Sequence, residues 1–471
     1  MSTQRINDLQ PILKAMQQYH LHTGPADASL RQDRLNRAAN LLREHRHALA
    51  DAMNADFGNR SIYQSMAADI GTTIHGLRYA AEHVADWMRP ETVAAPVPGM
   101  QARIERQPLG VVGIISPWNF PLNLAFGPLA GVLAAGNTAL IKPSELTPRT
   151  SDLLAELIAR YFDPMEVGVV LGDAETGVAF SQLPFDHLVF TGSTTVGRHV
   201  MRAAAENLVP VTLELGGKSP VVVHPQADMS RAIARTLTVK TFNAGQICLA
   251  PDYMLVAADK QAELIRAAEG FMRETFPSIQ NNPDYTSIIS ARHYDRLLGL
   301  LDDAKAKGAR VISLNPANEV AFDAATRKIA PHLVLDVTDE MLIMQEEIFG
   351  PLLPVKTCSS DAAAIAYINA HPRPLAAYYF GDDVQSQQLI ATQTASGALV
   401  INDIMSHVAI ETLPFGGVGP SGMGAYHGIH GFMRFTHNKP VVVQSPDGET
   451  NLRLRAPYAD KLAHLETLLG A

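Results

Sequence analysis

The sequence predicts an α/β fold whose first half contains a doubly wound, Rossmann-like lobe with a parallel sheet. Apolar runs typical of strands alternate with helical patterns between residues 111 and 215, which indicates βαβ units. The strand runs are apolar throughout, as expected where helices cover both faces of a sheet. A chain of 471 residues is also too long for one hydrophobic core, so we expect two large lobes and a smaller element.

Helices are predicted ahead of the first strand. Residues 26–57 carry apolar side chains at roughly helical spacing with charges between them, and a second helical stretch runs from about residue 64 to 87. A segment bearing proline and glycine follows at residues 90–99. Residues 101–107 are polar and typical of an extended arm or a hairpin strand.

The clearest pattern in the chain is a series of strands separated by helices. Strands are predicted at residues 111–115, 138–141, 167–171, 187–190 and 211–215, and helices at about 122–135, 148–161, 175–182 and 195–206. After residue 216 the pattern recurs less regularly. Strand-like runs at 220–223 and 253–256 flank a helix at 227–242, which predicts a second α/β lobe.

The composition excludes several classes of protein. The chain is 47% hydrophobic and 18% charged, so it is not mainly disordered. A net charge of −9 offers no basic surface for nucleic acid. Two cysteines cannot form a disulfide framework or a cysteine-rich zinc site, and the histidines show no metal-binding motif, so we expect no metal.

One uncharged run, residues 107–141, is long enough to suggest a membrane span. Four prolines interrupt it, together with several glycines and the polar residues Asn119 and Asn123. A buried strand, loop and helix therefore explain the run better. We expect a cytoplasmic protein with no membrane partner and no nucleic-acid partner.

Cys248 follows the helix predicted to end near residue 242, and Gly245 between them suits a turn with positive φ. A thiol on such a loop can be accessible, and its thiolate would be a nucleophile. On its own, a buried and inert cysteine is the more ordinary explanation. Cys358, beside two serines, is interpreted as incidental.

Glu214 stands near the carboxyl end of the strand 211–215 and is followed by two glycines. Open α/β sheets place their ligands at this edge. A carboxyl group that is partly desolvated there could have a raised pKa and act as a general base. The alternative is a salt-bridged glutamate at a strand end.

Three further segments follow predicted strands. Asn119, between Pro117 and Pro121, is an amide on a stiff backbone that could donate to an oxyanion, or simply form a turn. Lys142-Pro-Ser-Glu145 stands where a Rossmann-like sheet meets an adenosine ribose, or forms a surface ion pair. Phe190-Thr-Gly-Ser193 opens a helix whose N–H groups could face a pyrophosphate, although it lacks the ending of a nucleotide-hydrolase P-loop.

Taken together and in this order, these segments resemble the aldehyde dehydrogenase superfamily over roughly residues 30 to 440. The matching motifs are Pro117-Trp-Asn-Phe-Pro121, Lys142-Pro-Ser-Glu145, Phe190-Thr-Gly-Ser193, Glu214-Leu-Gly-Gly-Lys218, Gly245-Gln-Ile-Cys248, Glu347-Ile-Phe-Gly-Pro351 and Pro414-Phe-Gly-Gly417. Residues 246–253 and 422–428 are most similar to the class 3 branch.

The resemblance implies a mechanism that the residue chemistry supports. Cys248 would attack an aldehyde carbonyl, and the Asn119 amide with the backbone N–H of Cys248 would hold the oxyanion. Loss of hydride to a nicotinamide would leave a thioester, which water activated by Glu214 would hydrolyse. The product would be the carboxylic acid.

The resemblance also implies a cofactor, which is NAD or NADP. Glu347 and Phe349 would hold the nicotinamide ribose and ring, Lys142 and Glu145 the adenosine ribose, and Gly192 and Ser193 the pyrophosphate. The full set of cofactor-binding residues that it implies is Pro117, Trp118, Lys142, Ser144, Glu145, Gly192, Ser193, Gly197, Leu215, Glu347 and Phe349.

The family architecture implies three parts. Residues 1–98 and 109–215 would form the NAD-binding domain, and residues 216–427 the catalytic domain. Residues 99–108 and 428–471 would form a small β bridging and oligomerisation element, with a strand at 440–443. The chain would then be a homodimer.

The substrate implied within the class 3 branch is an aromatic aldehyde such as coniferyl aldehyde, because the segments 284–289 and 402–407 are most similar to bacterial members that oxidise it. The alternatives are a broad-specificity aliphatic aldehyde dehydrogenase and a CoA-acylating dehydrogenase. Glu214 speaks against the second of these, since acyl transfer to CoA needs no hydrolytic base. A thiol hydrolase and a non-catalytic relative are weaker alternatives.

Overall fold

The protein is described by a computed structural model, which covers residues 2–470. The α-helices in chain order are α1 (Ser2–Thr23), α2 (Ala28–Glu44), α3 (Arg46–Phe57), α4 (Ile62–Gln64), α5 (Thr72–Trp87), α6 (Asn123–Ala134), α7 (Pro148–Tyr161), α8 (Ala174–Ser181), α9 (Thr194–Ala205), α10 (Met229–Thr241), α11 (Gln261–Thr275), α12 (Ala291–Ala306), α13 (Leu342–Gln345), α14 (Asp361–Asn369), α15 (Val384–Gln393), α16 (Gly428–Arg434) and α17 (Ala459–Leu468). A π-helical segment, Ser65–Gly71, leads into α5, and a 3₁₀ turn, Phe242–Gly245, follows α10.

The strands divide among three main sheets and one short hairpin. In chain order they are β1 (Glu91–Val93), β2 (Gln101–Pro108), β3 (Val111–Ile115), β4 (Thr138–Lys142), β5 (Val167–Val169), β6 (His187–Gly192), β7 (Val211–Leu215), β8 (Ser219–Val223), β9 (Pro251–Val256), β10 (Arg310–Ser313), β11 (Phe322–Asp323), β12 (Lys328–Ile329), β13 (His332–Leu335), β14 (Leu352–Thr357), β15 (Ala376–Phe380), β16 (Ala398–Ile401), β17 (Gly422–Met423) and β18 (Thr436–Val443).

The first lobe is built on a sheet with the strand order β17-β7-β6-β3-β4-β5. Strands β3 to β7 run parallel, and the short β17 pairs with β7 in the antiparallel sense. Strands β3 and β4 are buried almost throughout because helices cover both faces of the sheet. The predicted Rossmann-like lobe is therefore confirmed, with β5 shorter than its predicted strand.

Two helical predictions in this lobe need correction. The helix predicted at 26–57 is divided into α2 and α3 at His45, where the backbone leaves helical geometry. Asp27 is the N-cap of α2, and its side chain accepts a hydrogen bond from the N–H of Leu30 at 2.8 Å. Helix α1 was not predicted, although its buried residues Leu9, Leu13 and Met16 follow helical spacing.

The second lobe is built on a sheet with the strand order β10-β13-β14-β9-β8-β15-β16. All neighbouring pairs are parallel except β10 with β13. The predicted second α/β lobe is confirmed. The loop between α10 and β9, residues 242–250, leads directly into β9. Its position is therefore set by the amino end of this strand.

A small antiparallel sheet joins β1, β2 and β18, and Thr436 to Val443 pair with Pro108 to Gln101 along its whole length. This is the predicted β element, in which the extended arm pairs with the strand from the end of the chain. Its two outer strands are largely exposed. The domain boundaries predicted from the sequence remain a prediction.

The end of the chain also returns to the first lobe. Helix α16 crosses α6 so closely that a Cβ on Gly131 would lie 2.8 Å from the backbone of Gly431. Within residues 2–470, no helix combines the length and the apolar composition that crossing a lipid bilayer requires.

Candidate active site

A cavity of about 620 Å³ opens at the carboxyl edge of the first sheet, between the two lobes. The segment after β3 contributes Asn119 to its wall, and the carboxyl ends of β6 and β7 contribute Gly192 and Glu214. The second lobe contributes Cys248 and Glu347. The structure thus brings together side chains that are far apart in the sequence, at the edge where open α/β sheets hold ligands.

The loop that carries Cys248 begins with an unusual backbone turn. Asn243, Ala244 and Gly245 have φ angles of 49°, 51° and 72°. A Cβ on Gly245 would lie 2.5 Å from the carbonyl oxygen of Gly350, so only glycine fits there. Left-handed backbone at two residues other than glycine persists only where the surrounding structure holds it.

Gln246 is the residue that holds this turn. Its Nε2 donates to the carbonyl oxygens of Asn243 (2.9 Å) and Ser287 (3.1 Å), and its Oε1 accepts from the N–H of Ile289 (3.0 Å). Gln246 is fully buried. The sequence analysis quoted this glutamine in a motif but gave it no function, although a buried amide beside a cysteine was the available signal.

Cys248 is half-buried and lines the cavity. The pKa of its thiol is raised to about 12, chiefly by burial and also by the carboxylates of Glu347 and Glu214, against the lowering effect of the N–H groups of Cys248 and Leu249. The sulfur is therefore protonated at neutral pH in this state. A base or a change in local charge must act before it can serve as a nucleophile.

Glu214 is 3% exposed, and neither of its carboxylate oxygens has a hydrogen-bond partner within residues 2–470. Burial raises the pKa of this carboxyl group well above its ordinary value, and the charge of Arg434 lowers it. A carboxyl group with a raised pKa and no fixed partner can both take up and release a proton near neutrality. It faces the same cavity as the thiol.

Asn119 is also 3% exposed. Its Nδ2 donates to the carbonyl oxygen of Gln246 at 3.2 Å, and its own carbonyl oxygen accepts from Arg60 at 2.7 Å and from Asn243 at 3.2 Å. An amide nitrogen carries two hydrogens, so one remains for a group in the cavity. The side-chain bond to Gln246 and the bond from Asn243 to the backbone carbonyl of Asn119 tie this residue to the cysteine loop, and Arg60 adds a bond from the first lobe.

Glu347 and Phe349 line the opposite part of the cavity. A Cβ on Gly216 would lie 2.2 Å from Glu347 Oε1, so this glycine lets the carboxylate approach the end of β7. The pKa of Glu347 is raised to about 7, chiefly by burial and also by Asp252, against the lowering effects of the Gly217 N–H, Lys218 and Arg296. The ring of Trp118 meets the ring of Phe349 edge-on at 5.4 Å.

Other predicted residues lie along the same sheet edge but outside this cavity. At the end of β4, Lys142 Nζ pairs with Glu145 Oε2 at 2.7 Å, and the Glu145 side chain is 39% exposed. Ser144 Oγ accepts from the N–H of Leu146 at 3.2 Å. A Cβ on Gly197 would lie 2.7 Å from Leu215, so this pair lets α9 pack closely on β7.

The loop before α9 does reach the cavity. Gly192 and Ser193 line it, and Ser193 is the N-cap of α9, accepting a hydrogen bond from the N–H of Val196 at 3.4 Å. Thr194 and Thr195 in the first turn of α9, where backbone N–H groups have no partner within a helix, also line the cavity. Trp118 and Pro117 complete this wall from the segment after β3.

Several residues around the cavity were missed by the sequence analysis. They are Leu124, Thr191, Thr194, Thr195, Gly216, His293, Arg296, Gln345 and Glu346. The threonines adjoin a motif that the sequence analysis did quote. His293 and Arg296 lie on α12, where charged residues on an amphipathic helix gave no signal. Residues 2–470 contain no group of three or more His, Cys, Asp or Glu side chains arranged to hold a metal ion.

A parallel α/β sheet with a thiol, a carboxyl group and an amide around one cavity is typical of a thiol-dependent α/β enzyme. The family model described as "Aldehyde dehydrogenase family" matches residues 5–441. The chain belongs to the aldehyde dehydrogenase family, and the family predicted from the motifs is confirmed.

Curated relatives agree with the branch that was predicted. The coniferyl aldehyde dehydrogenase of Pseudomonas sp. (strain HR199 / DSM 7063) is 59% identical, covering 97% of this chain and 95% of the relative. Aldehyde dehydrogenase family 3 member B1 of Bos taurus is 38% identical, covering 91% of this chain and 90% of the relative. The resemblance to the class 3 branch is thereby confirmed.

Solved structures share the fold. The AldH of Staphylococcus aureus in a substrate-bound state superimposes with a TM-score of 0.91 at 37% identity, covering 98% of this chain and 99% of that one. The betaine aldehyde dehydrogenase of Staphylococcus aureus in complex with NAD⁺ gives a TM-score of 0.82 at 27% identity, covering 96% and 88%. The protein is an aldehyde dehydrogenase, an enzyme that oxidises aldehydes.

Proposed function

We propose that the protein oxidises an aromatic aldehyde to its carboxylic acid, with Cys248 as nucleophile, Glu214 as general base and Asn119 as oxyanion donor. The observation that carries this proposal is that all three side chains line one cavity. Membership of the aldehyde dehydrogenase family supports it.

The thiol of Cys248 releases its proton to solvent through the open cavity, and its sulfur attacks the aldehyde carbon, so that a C–S bond forms and the carbonyl oxygen becomes an oxyanion. The free hydrogen of the Asn119 amide and the N–H of Cys248 donate to this oxygen. When bound, the nicotinamide cofactor accepts the hydride that leaves the tetrahedral carbon. The remaining group on Cys248 is a thioester.

Glu214 then takes a proton from a water molecule, whose oxygen attacks the thioester carbon. The C–S bond breaks, the carboxylic acid leaves, and the thiolate of Cys248 is restored. The absence of a hydrogen-bond partner for Glu214 within residues 2–470 supports this function, because the carboxylate is free to bind water. A CoA-acylating reaction would leave this base without a use.

The residues present fit a dinucleotide at this edge of the sheet. The N-terminus of α9 with Gly192 and Ser193 suits a pyrophosphate, and Glu347 suits ribose hydroxyl groups. Pro117, Trp118 and Phe349 would enclose the ring. Lys142, Ser144 and Glu145 would meet the adenosine ribose, while Gly197 and Leu215 would support the loop from behind.

We propose NAD as the cofactor, with NADP as the alternative. A relative of known structure was solved with NAD⁺. Glu145 would repel a 2′-phosphate, while its ion pair with Lys142 reduces that repulsion. The ion pair of Lys142 and Glu145 is therefore compatible with a preference for NAD over NADP, and does not exclude NADP.

Coniferyl aldehyde is the substrate that we propose. Support comes from a relative that is 59% identical and is named for this substrate. Trp118 and Leu124 also line the cavity with Cys248, and Tyr426 lies within electrostatic range of the thiol. Such a surface suits an aromatic ring. Aliphatic aldehydes are the alternative.

We further propose a homodimer in the cytoplasm. The small sheet leaves β18 at an edge, with Val442 and Val443 exposed, which favours pairing with a second copy. A catalytic thiol must stay reduced, which favours a reducing compartment. Sedimentation equilibrium and cell fractionation test the two proposals separately.

The proposed function is tested by Cys248→Ser with Cys358→Ser as the matched control. Reduction of NAD by coniferyl aldehyde should fall at least about a thousandfold in Cys248→Ser and stay unchanged in the control. Binding of NAD, followed by tryptophan fluorescence, should persist in both. Turnover retained in Cys248→Ser would reject the nucleophile. A kcat/KM for hexanal above that for coniferyl aldehyde would reject the aromatic substrate.

A further inference from the structure

Arg434, the last residue of α16, lies against the strand that carries Glu214. Its Nε donates to Thr212 Oγ1 at 2.8 Å, and its Nη2 donates to the carbonyl oxygen of Val211. The guanidinium thereby holds β7 from a segment more than two hundred residues later in the chain. A Cβ on Gly424 would lie 2.9 Å from Arg434 Nε, so glycine there leaves room for the contact.

Thr212 and Glu214 lie on the same face of β7, because alternate residues of a strand point to the same side. A guanidinium bonded to Thr212 therefore stands beside the carboxyl group of Glu214. Thr212 Oγ1 also bonds His187 Nε2 at 2.8 Å. The pKa of His187 is lowered to about 3, chiefly by burial and also by the charge of Arg434, so His187 is neutral at neutral pH. Arg434 is therefore the positively charged group beside Thr212.

The titratable and charged groups around Glu214 come from several elements. Those in its electrostatic range or along the same cavity are Cys248, His293, Arg296, Glu346, Glu347, Tyr426 and Arg434. Arg434 lowers the pKa of Glu214 against the effect of burial, and Glu214 raises the pKa of Arg434 in turn. The pKa values of both groups are thus shifted by the electrostatic attraction between Arg434 and Glu214.

The C-terminal segment is fixed to the first lobe on both sides of this arginine. Strand β17 pairs with β7 so that Gly422 lies opposite Glu214, and α16 crosses α6 through the contact of Gly131 with Gly431. The guanidinium is therefore placed by tertiary packing at two points. Its position does not depend on its own hydrogen bonds alone.

We propose that Arg434 is a positioning residue for thioester hydrolysis, which holds the strand of Glu214 and supplies the positive charge that lets this carboxyl group act as a base at neutral pH. The inference rests on the proposed function of Glu214. It adds a residue that touches neither the substrate nor the cofactor and acts through Glu214.

The test compares Arg434→Gln with Arg434→Lys across a series of pH values. Glutamine keeps hydrogen-bonding capacity but removes the charge, and lysine keeps the charge but loses the guanidinium fork. In Arg434→Gln the acidic limb of kcat should move up by about one pH unit, which is about a tenfold loss of turnover on that limb. The first-turnover burst of NADH should persist, and mass spectrometry should show more acyl-enzyme.

In Arg434→Lys the acidic limb should stay within about 0.3 pH units of the wild type, whatever the change in KM. Lys439→Gln is the matched control, since it removes a charge from the exposed strand β18, where Lys439 lies opposite Glu105 in the strand register, and should leave the limb unchanged. An unmoved limb in Arg434→Gln, or an equal shift in any of the other variants, would overturn the proposal. If Arg434→Gln does not fold, Arg434→Lys provides the test. A shift of its acidic limb by a full pH unit would then overturn the proposal.

Glu214→Gln separates this inference from the proposed function. If Glu214→Gln turns over at the normal rate, the base is wrong and the premise fails with it. If Glu214→Gln stalls after one burst while Arg434→Gln keeps the wild-type limb, only the inference about Arg434 is overturned.

Discussion

Two carboxyl groups line the same cavity, and their surroundings differ. Glu214 is buried with no hydrogen-bond partner in the described part of the chain. Glu347 accepts a hydrogen bond from the backbone N–H of Gly217 and lies in electrostatic range of Asp252, Lys218 and Arg296. Lys218 in turn pairs with Asp252 and donates to the carbonyl oxygens of Ile343 and Glu346. The comparison teaches that a protein can prepare one carboxylate to exchange protons and hold another in place, through hydrogen bonding rather than through burial alone.

The largest effect is expected at Glu214. Glu214→Gln should lower steady-state turnover by about a hundredfold or more, because it removes the base for hydrolysis. One burst of NADH per active site should remain, as measured by stopped-flow absorbance. Glu347→Gln is the control for the comparison and should not stall after one turnover.

The pH dependence sharpens the same contrast. Glu214 must be deprotonated to act, and burial raises its pKa above the ordinary value. The value of kcat should therefore rise with pH along an acidic limb whose midpoint lies above pH 4.5. The rate of the first-turnover burst of NADH should not show this limb. A limb at the ordinary pKa of a glutamate would contradict the dry environment of Glu214.

The charged network around Glu347 should matter for stability. Lys218→Met leaves Asp252, which is 3% exposed, without its cation, and should lower the free energy of unfolding by about 2–4 kcal/mol. Urea unfolding measures this change. Lys356→Met, which breaks a more exposed pair with Asp339, is the control and should cost under about 1 kcal/mol.

A smaller effect is expected at Glu347 itself. Glu347→Gln should raise the KM for the cofactor by about tenfold, which corresponds to about 1.4 kcal/mol of lost hydrogen bonding. Steady-state kinetics with varied NAD measure it. If kcat fell a hundredfold and the burst disappeared, the two carboxyl groups would not have the separate functions that their surroundings indicate.

The smallest effect is expected at Glu145. Glu145→Gln removes a half-exposed charge from the ribose end of the proposed site, so the ratio of kcat/KM for NADP to that for NAD should rise a few-fold, about three to ten. Parallel assays with both cofactors give the ratio. An unchanged ratio would show that this ion pair does not contact the ribose.

The sequence by itself determined the family, the α/β class and the main sequence of strands. It could do so because strands buried on both faces are continuously apolar, and because Asn119, Glu214 and Cys248 stand in short motifs at strand or helix ends. Those positions follow from local chemistry, which a linear pattern records.

Tertiary structure alone decided which distant side chains meet. His293 and Arg296 on α12, and Arg434 at the end of α16, reach the site because helices pack onto a sheet edge set by long-range pairing. A polar residue on an amphipathic helix looks the same in the sequence whether it faces solvent or a cavity. The division of helix 26–57 at His45 and the burial of Glu214 without a partner depend on the same packing.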